Sequence, residues 1–584
     1  MILSRLNPLK PYLARYWRSF AWGGCALVVY NFSKAMVPIV IGRTFDDLRS
    51  HNTAHTIGLN AVLLLGLAST SAVFLYIMRQ VIIGASREIE FDLRNDLFAR
   101  LELQPPSFFQ RHRTGDIMAR STNDLSAVRQ LLGPAIMYSA NTVVFTAAAL
   151  PYMLRISPRL TLCAFVPLPF ASILVQYFGA KIHTRFERIQ AMFSEISAQA
   201  EENFSGARLI RAFAQEQAQA EAFETSNREY IRRSLLLARL MAMLWPTLEL
   251  VLGVSLMITL LVGGREVLLH RMTAGQFSAY NVYMVQLTWP MIAIGWVVNL
   301  VQRGAASVVR IHQLMDEAPA IDDTAALRSL AEISIAGALE FRDLSFAYAA
   351  APETLHHISL TVPAGGSLAI VGPTGSGKST LMSLIPRLQD AAPGMVLLDG
   401  RPLREYPLAT LRRAIGYVPQ ETFLFSTTIR DNIGFGRPDA TMEQIIDAAH
   451  TAHIGLEIEE FPAGYGTVVG ERGLTLSGGQ KQRTSIARAI LRDPRILVLD
   501  DALASVDTYT EEQILTSLRE VMRGRTTLLV SHRVSTARSA DRIAVLMDGH
   551  IAELGTHEEL IALGGYYNDL AEKQRLEQEI ETAA

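Results

Sequence analysis

Cysteine is the scarcest resource in this sequence, with two in 584 residues, and charge is thin, at 19% of side chains. Cys25 and Cys163 both fall inside apolar stretches, which excludes a disulfide framework or a cysteine metal site and leaves them as small core hydrophobes. A net charge of -2 with no clustered basic face excludes a nucleic-acid partner held through its phosphates. A cleavable secretory signal is also missing, because the first apolar run continues to span length instead of ending at a small-residue cleavage site. What is plentiful is apolar: 49% of residues are hydrophobic and the mean hydropathy is +0.20, more than an ordinary soluble protein carries. The excess lies in roughly the first half of the chain, and the length calls for two or more domains.

Residues 1–18 open that half with Arg5, Lys10, Arg15 and Arg18 and no acid, the composition of a mitochondrial presequence or of a membrane-surface helix. Pro8 and Pro11 favour an interfacial helix. Six apolar stretches follow, near 19–42, 58–84, 132–154, 160–180, 236–263 and 277–300. Each approaches the ~20 residues that cross a bilayer, so residues 19–315 read as an all-α, six-helix transmembrane domain. The long loops 86–131 and 181–235 hold seven and eight Lys or Arg, against two in each short opposite loop. The positive-inside rule therefore makes the long loops cytoplasmic. Among polar residues inside the spans, Glu249 is the candidate for a cavity or a structural pair, while Lys34 and Arg79 have side chains long enough to snorkel.

A polar linker over 316–336 leads into 337–584, where short apolar runs alternate with helical segments and glycines, the pattern of an α/β domain with a largely parallel sheet. Leu368-Ala369-Ile370-Val371 precedes Gly372-Pro373-Thr374-Gly375-Ser376-Gly377-Lys378-Ser379-Thr380, and a helix-forming run follows. This is a P-loop in its strand-to-helix setting: glycines turn backbone N–H groups onto phosphates, Lys378 reaches the β/γ-phosphates and Ser379 ligates Mg2+. Asp500 closes the strand Ile496-Leu497-Val498-Leu499 and is placed to hold the same ion, so ATP and Mg2+ are the expected ligands.

Which P-loop machine this is follows from Leu476-Ser477-Gly478-Gly479-Gln480, 99 residues from Lys378 to Ser477 and 23 more to Asp500, with His532 a further 32 along. The set resembles the signature and switch motifs of ATP-binding cassette (ABC) exporters. That resemblance implies that Tyr348 stacks on adenine, that Gln420 is the Q-loop residue near Mg2+ with Ser379 and Asp500, and that Ser477, Gly478, Gly479 and Gln480 contact nucleotide across a dimer. It also assigns His532 to hydrolysis and Asp507 to the end of the D-loop. In the membrane half, Phe108 to Asp116 with Asn123-Asp124, and Glu202 to Phe213, resemble the two coupling segments of such exporters, near 104–124 and 202–214.

One position departs from the pattern. Efficient family members carry glutamate directly after the Walker B aspartate; here Asp501 stands there, one methylene short of the attacking water, and general-base catalysis depends on that reach. The resemblance then implies the degenerate-site half of a heterodimeric exporter, with a second ABC half-transporter as partner. The cassette would lie in the cytoplasm beneath an inner (plasma) membrane, and the cargo would be a hydrophobic or amphipathic drug, lipid or peptide. A homodimeric lipid flippase is the alternative, and a soluble cassette ATPase or an ATP-gated channel are readings from other classes.

Overall fold

The structure, a computed structural model, describes residues 6–50, 54–349, 351–470, 473, 475–504 and 508–583. Its chain forms two compact units, one of Met1–Glu102 with Arg113–Glu317 and one of Leu103–His112 with Ala318–Ala584.

The first unit is helical. Among the described residues, five helices are long and apolar enough to cross a membrane: α1 (Trp17–Arg49), α2 (Ala54–Glu102), α3 (Thr114–Ile156), α5 (Glu216–Leu268) and α6 (Ala274–Asp316). The stretch near 160–180 is divided between a short helix Pro158–Phe165 and α4 (Leu168–Ser205), parted at Val166-Pro167. Pro167 has no N–H to continue the ladder, which accounts for the break. α2 and α4 both run on well beyond their apolar stretches, as the charged composition of 86–103 and 181–202 requires.

The acid-free N-terminal segment finds its acids on α2. Tyr12 donates to Asp96 at 2.6 Å and Arg15 to Asp92 at 2.7 Å, which pins the helix Lys10–Arg15 along the polar end of α2. Deeper in the same unit, Asp124 of α3 is nearly buried and accepts from Ser307 (2.9 Å) and Arg310 (2.8 Å), so its carboxylate is neutralised from α6. Glu249 is exposed on the surface of α5. The Lys34 ammonium lies 4.9 Å from the centre of the Phe145 ring and 5.7 Å from that of Tyr30.

The second unit is α/β. A six-stranded sheet has the order β10-β9-β3-β8-β7-β6, built from β3 (Ser367–Val371), β6 (Ile415–Val418), β7 (Ile496–Asp500), β8 (Thr526–Val530), β9 (Arg542–Met547) and β10 (His550–Gly555). All its pairings are parallel except β9 with β10. Because side chains alternate across a strand, Ala369 and Val371, like Leu497 and Leu499, enter one buried layer, while Leu368, Ile370, Ile496 and Val498 enter the other. Burial on both faces explains why these strands read as unbroken apolar runs. A second, antiparallel sheet β2-β1-β4-β5 holds β1 (Leu339–Ala347), β2 (Glu353–Val362), β4 (Val396–Leu398) and β5 (Arg401–Pro402). Within the expected linker, Leu330 and Ile335 are buried in this layer.

Candidate functional site at the end of the parallel sheet

The parallel register sets the site. Ile370 and Asp500 both pair with Val530, so β3, β8 and β7 end level with one another and release their following residues at one edge. Ligands of open parallel sheets bind beyond such carboxyl ends.

After β3 the chain turns at Gly372 (φ +150) and enters α7 (Lys378–Leu384) through Gly377 (φ +100). A Cβ on Gly372 would lie 2.1 Å from the Leu546 carbonyl oxygen, and one on Gly377 would lie 2.7 Å from Leu355 Cδ2, so neither position has room for a side chain. The loop wraps the buried Lys378, whose ammonium donates to the carbonyls of Gly372 (2.9 Å) and Pro373 (2.7 Å) and lies 3.5 Å from Ser376 Oγ. Burial pulls its pKa below the ordinary lysine value, with the Asp501 and Asp500 carboxylates acting the other way.

Ser379 Oγ donates to Asp500 Oδ1 at 3.0 Å. Burial pushes the Asp500 carboxyl above the ordinary aspartate value; the Ser379 hydrogen bond and Lys378 oppose this, and the adjacent Asp501 charge adds to it. Asp501 itself has a left-handed backbone (φ +49), and its N–H donates to the Val530 carbonyl at 3.1 Å. Aspartate is one of the few non-glycine residues that takes this conformation readily.

These residues enclose a cavity of about 180 Å³ whose walls include Thr374, Gly375, Gly377, Lys378, Ser379 and Thr380, together with Gln420, Asp500, Asp501 and His532. Gly372, Pro373 and Ser376 stand behind it as the loop that holds Lys378. Tyr348 reaches its rim through Thr380, with the two hydroxyls 3.1 Å apart and its ring edge-on to Phe346. Ser477, Gly478, Gly479 and Gln480 are not in these walls. They start the helix α8 (Gly478–Leu491), where Ser477 caps the Gln480 N–H and the Gln480 side chain accepts from the Ser477 N–H. Ser477 and Gly478 face solvent. Asp507 lies outside the described residues.

Thr354 and Val530 complete the cavity wall, and neither carries a motif. Two further side chains escaped the sequence reading. Glu457 accepts from Gln480 at 2.9 Å and from Arg483 at 2.6 Å, so it fixes the signature helix from outside the motif. Gln574, on the C-terminal helix α9 (Tyr566–Ala583), donates to the His532 carbonyl at 2.7 Å and accepts from the Val534 N–H at 2.8 Å. Replacing Gln574 by alanine removes both bonds at a cost of about 1–1.5 kcal/mol each. Amide exchange across Ser531–Thr536 is then expected to quicken by about thirtyfold to a hundredfold. Unchanged exchange in that peptide would show that the clamp carries no weight.

Residues 20–291 match the ABC transporter transmembrane region family, and residues 355–504 match the ABC transporter family. The chain is 35% identical to the probable multidrug resistance ABC transporter ATP-binding/permease protein YheI of Bacillus subtilis, over 98% of each chain. The chain belongs to the ABC transporter family. It is also 36% identical to the multidrug resistance-like ATP-binding protein MdlA of Escherichia coli, over 98% of this chain and 97% of that one. A solved structure of a bacterial Atm1-family ABC exporter with ATP bound aligns with a TM-score of 0.77 at 26% identity, covering 97% of this chain and 99% of that chain. This ABC transporter is thus an exporter half, a multi-pass inner-membrane protein with a transmembrane helical domain followed by an α/β nucleotide-binding domain that couples ATP hydrolysis to transport.

The site fits Mg2+ and a nucleotide triphosphate. A loop too tight for side chains surrounds one ammonium, and a hydroxyl and a carboxylate 3.0 Å apart present two oxygens of the kind a hard cation takes. Among the described residues, no group of three His, Cys, Asp or Glu is arranged to hold a metal alone, which suits an ion that takes its remaining oxygens from phosphate and water.

Proposed function

We propose that this chain is the degenerate-site half of a heterodimeric exporter that moves a hydrophobic or amphipathic substrate out of the cytoplasm by alternating access. The observation that carries this reading is Asp501, which shares a cavity wall with Lys378, Asp500 and His532, while Ser477 to Gln480 are absent from that wall and Ser477 and Gly478 are exposed. In this reading Lys378 meets the β/γ-phosphates and the loop Gly372 to Thr380 cradles them. Tyr348 stacks on the base, and Ser379, Asp500 and Gln420 surround Mg2+. Bound there, the ion neutralises phosphate charge and orients the transferred group. Asp501 is the base that falls short of the attacking water, His532 is the switch beside the γ-phosphate, and Ser477 to Gln480 complete the partner's site.

A second half-transporter is further supported by the segment around the short helix Ala207–Ala212. Phe204, Leu209 and Phe213 there are 81%, 64% and 68% exposed, an apolar surface that asks for a cover. The coupling role of 104–124 and 202–214 is tested by cysteine pairs joining Thr114 or Ser205 to nucleotide-binding domains, after Cys25 and Cys163 are replaced. Crosslinks should form and stop transport while nucleotide still binds. An absence of crosslinks from every nearby position would remove the coupling assignment.

The asymmetric dimer is tested by comparing Ser477→Arg with Asp501→Asn in the assembled transporter. If the signature serves the partner's competent site, Ser477→Arg should cut ATP turnover far more deeply than Asp501→Asn. Equal or reversed losses, or brisk turnover by this chain alone, would favour the homodimeric flippase.

A further inference from the structure

A second cavity, of about 490 Å³, lies within the helical unit and has a wall composition unlike that of a generic apolar pocket. Among the described residues that line it, Lys34 of α1 is the one charged side chain and none is a carboxylate. Trp245 of α5 and Trp289 and Trp296 of α6 form much of the remaining wall, and three of the chain's five tryptophans thus converge on one space. Tyr138, Asn141 and Thr142 of α3 add polar groups, and the Asn141 Oδ1 is buried with no hydrogen-bond partner.

Each feature specifies part of a ligand. An ammonium on a membrane-spanning helix favours a counter-charge, and cation–π contact with Phe145 (4.9 Å) and Tyr30 (5.7 Å) supplies only part of one. An anion would supply the missing partner; a cation would be repelled, and a neutral molecule would leave the ammonium dry. Trp245 and Trp289 keep 54% and 69% of their surfaces open, offering flat faces for an aromatic or apolar body, while Trp296 is braced edge-on by Tyr138 at 5.3 Å. The unpaired Asn141 oxygen calls for a hydroxyl or N–H on the ligand.

We infer that this cavity binds amphipathic organic anions, with an aromatic body on the tryptophans, an acidic group on Lys34 and a hydrogen-bond donor on Asn141. The inference gives the cargo a chemical class, and it rests on the exporter reading only for the direction of movement. Binding and flux are therefore measured separately: failure of the exporter reading would appear as no ATP-dependent accumulation of any dye in vesicles, whatever the binding result.

The test uses the full-length protein, as purified from its membrane, in phosphatidylcholine nanodiscs. Tritiated 6-hydroxy-2-naphthoate is bound in a scintillation proximity assay and competed with 6-hydroxy-2-naphthamide and with the corresponding naphthylmethylammonium. The acid is expected to bind at least about tenfold tighter than the amide, and the cation weakest. Lys34→Gln should erase the preference for acid over amide, Lys34→Arg should keep it, and Trp289→Ala should weaken acid and amide alike. If Lys34→Gln loses both ligands, the Arg variant decides: a retained preference supports the assignment and a lost one overturns it. An acid that binds no better than its amide in the unmodified protein, or a preference that survives Lys34→Gln, also overturns it.

Discussion

Replacing Lys378 by alanine is expected to weaken nucleotide binding at this chain's site by roughly 2–5 kcal/mol, between about thirtyfold and a few thousandfold. The argument is electrostatic. Lys378 is the one cation in a wall that also contains Asp500 and Asp501, and removing it leaves two carboxylates facing a polyanion. Its ammonium also ties the Gly372 and Pro373 carbonyls inward, so alanine loosens the loop as well as discharging it. Lys378→Arg should recover little, because a planar fork does not fit where a compact ammonium sits between two carbonyls less than 3 Å away. Photolabelling of this chain with an azido-ATP, with the partner's chain resolved on the same gel, reads the site directly. Labelling unchanged by Lys378→Ala would remove the lysine from the phosphate site.

The same cavity shows why some of the site was legible in the sequence and some was not. Gly372 and Gly377 could be read because part of their need is local, a positive φ in the turn between strand and helix, whereas the close approaches of Leu546 and Leu355 that also exclude a side chain could not. Ser477 and Gln480 cap one helix end from three residues apart, so their pairing is also a short-range pattern. Gln574 reaches His532 across 42 positions and Glu457 reaches Gln480 across 23, and a single glutamine or glutamate carries no periodicity that would predict either contact. The alternation of β3 and β7 between two buried layers was likewise hidden, since a strand buried on both faces loses its period of two.

In the helical unit five of the six apolar stretches fall on helices long and apolar enough to cross a membrane, but hydropathy does not say which way a side chain turns. Lys34 has a stem long enough to reach an interface, yet its ammonium lies near the rings of Phe145, 111 positions away on α3, and of Tyr30 on its own helix. The break at Val166-Pro167 was visible as a proline and no more, because prolines inside α1 and α6, at Pro38 and Pro290, leave those helices continuous. Tertiary packing decides between the two outcomes.

Asp501→Glu is expected to raise ATP turnover at this chain's site, by about tenfold or more, when the partner's catalytic glutamate has first been changed to glutamine. General-base contributions run ~10²–10⁴-fold, and an added methylene restores only the reach, so the gain should fall at or below the lower end of that range. The backbone opposes the change: at φ +49 aspartate is well tolerated, whereas glutamate loses the local hydrogen bonding that favours a short polar side chain there. A cost of about 1 kcal/mol in stability is therefore expected alongside the faster turnover. The two effects separate cleanly, since thermal unfolding reports the strain and single-turnover hydrolysis reports the base. A variant that still binds nucleotide and unfolds slightly earlier, yet hydrolyses no faster, would mean that the methylene is not what limits the site. The limit would then lie in the signature supplied by the partner, and Asp501 would mark the degenerate site without causing it.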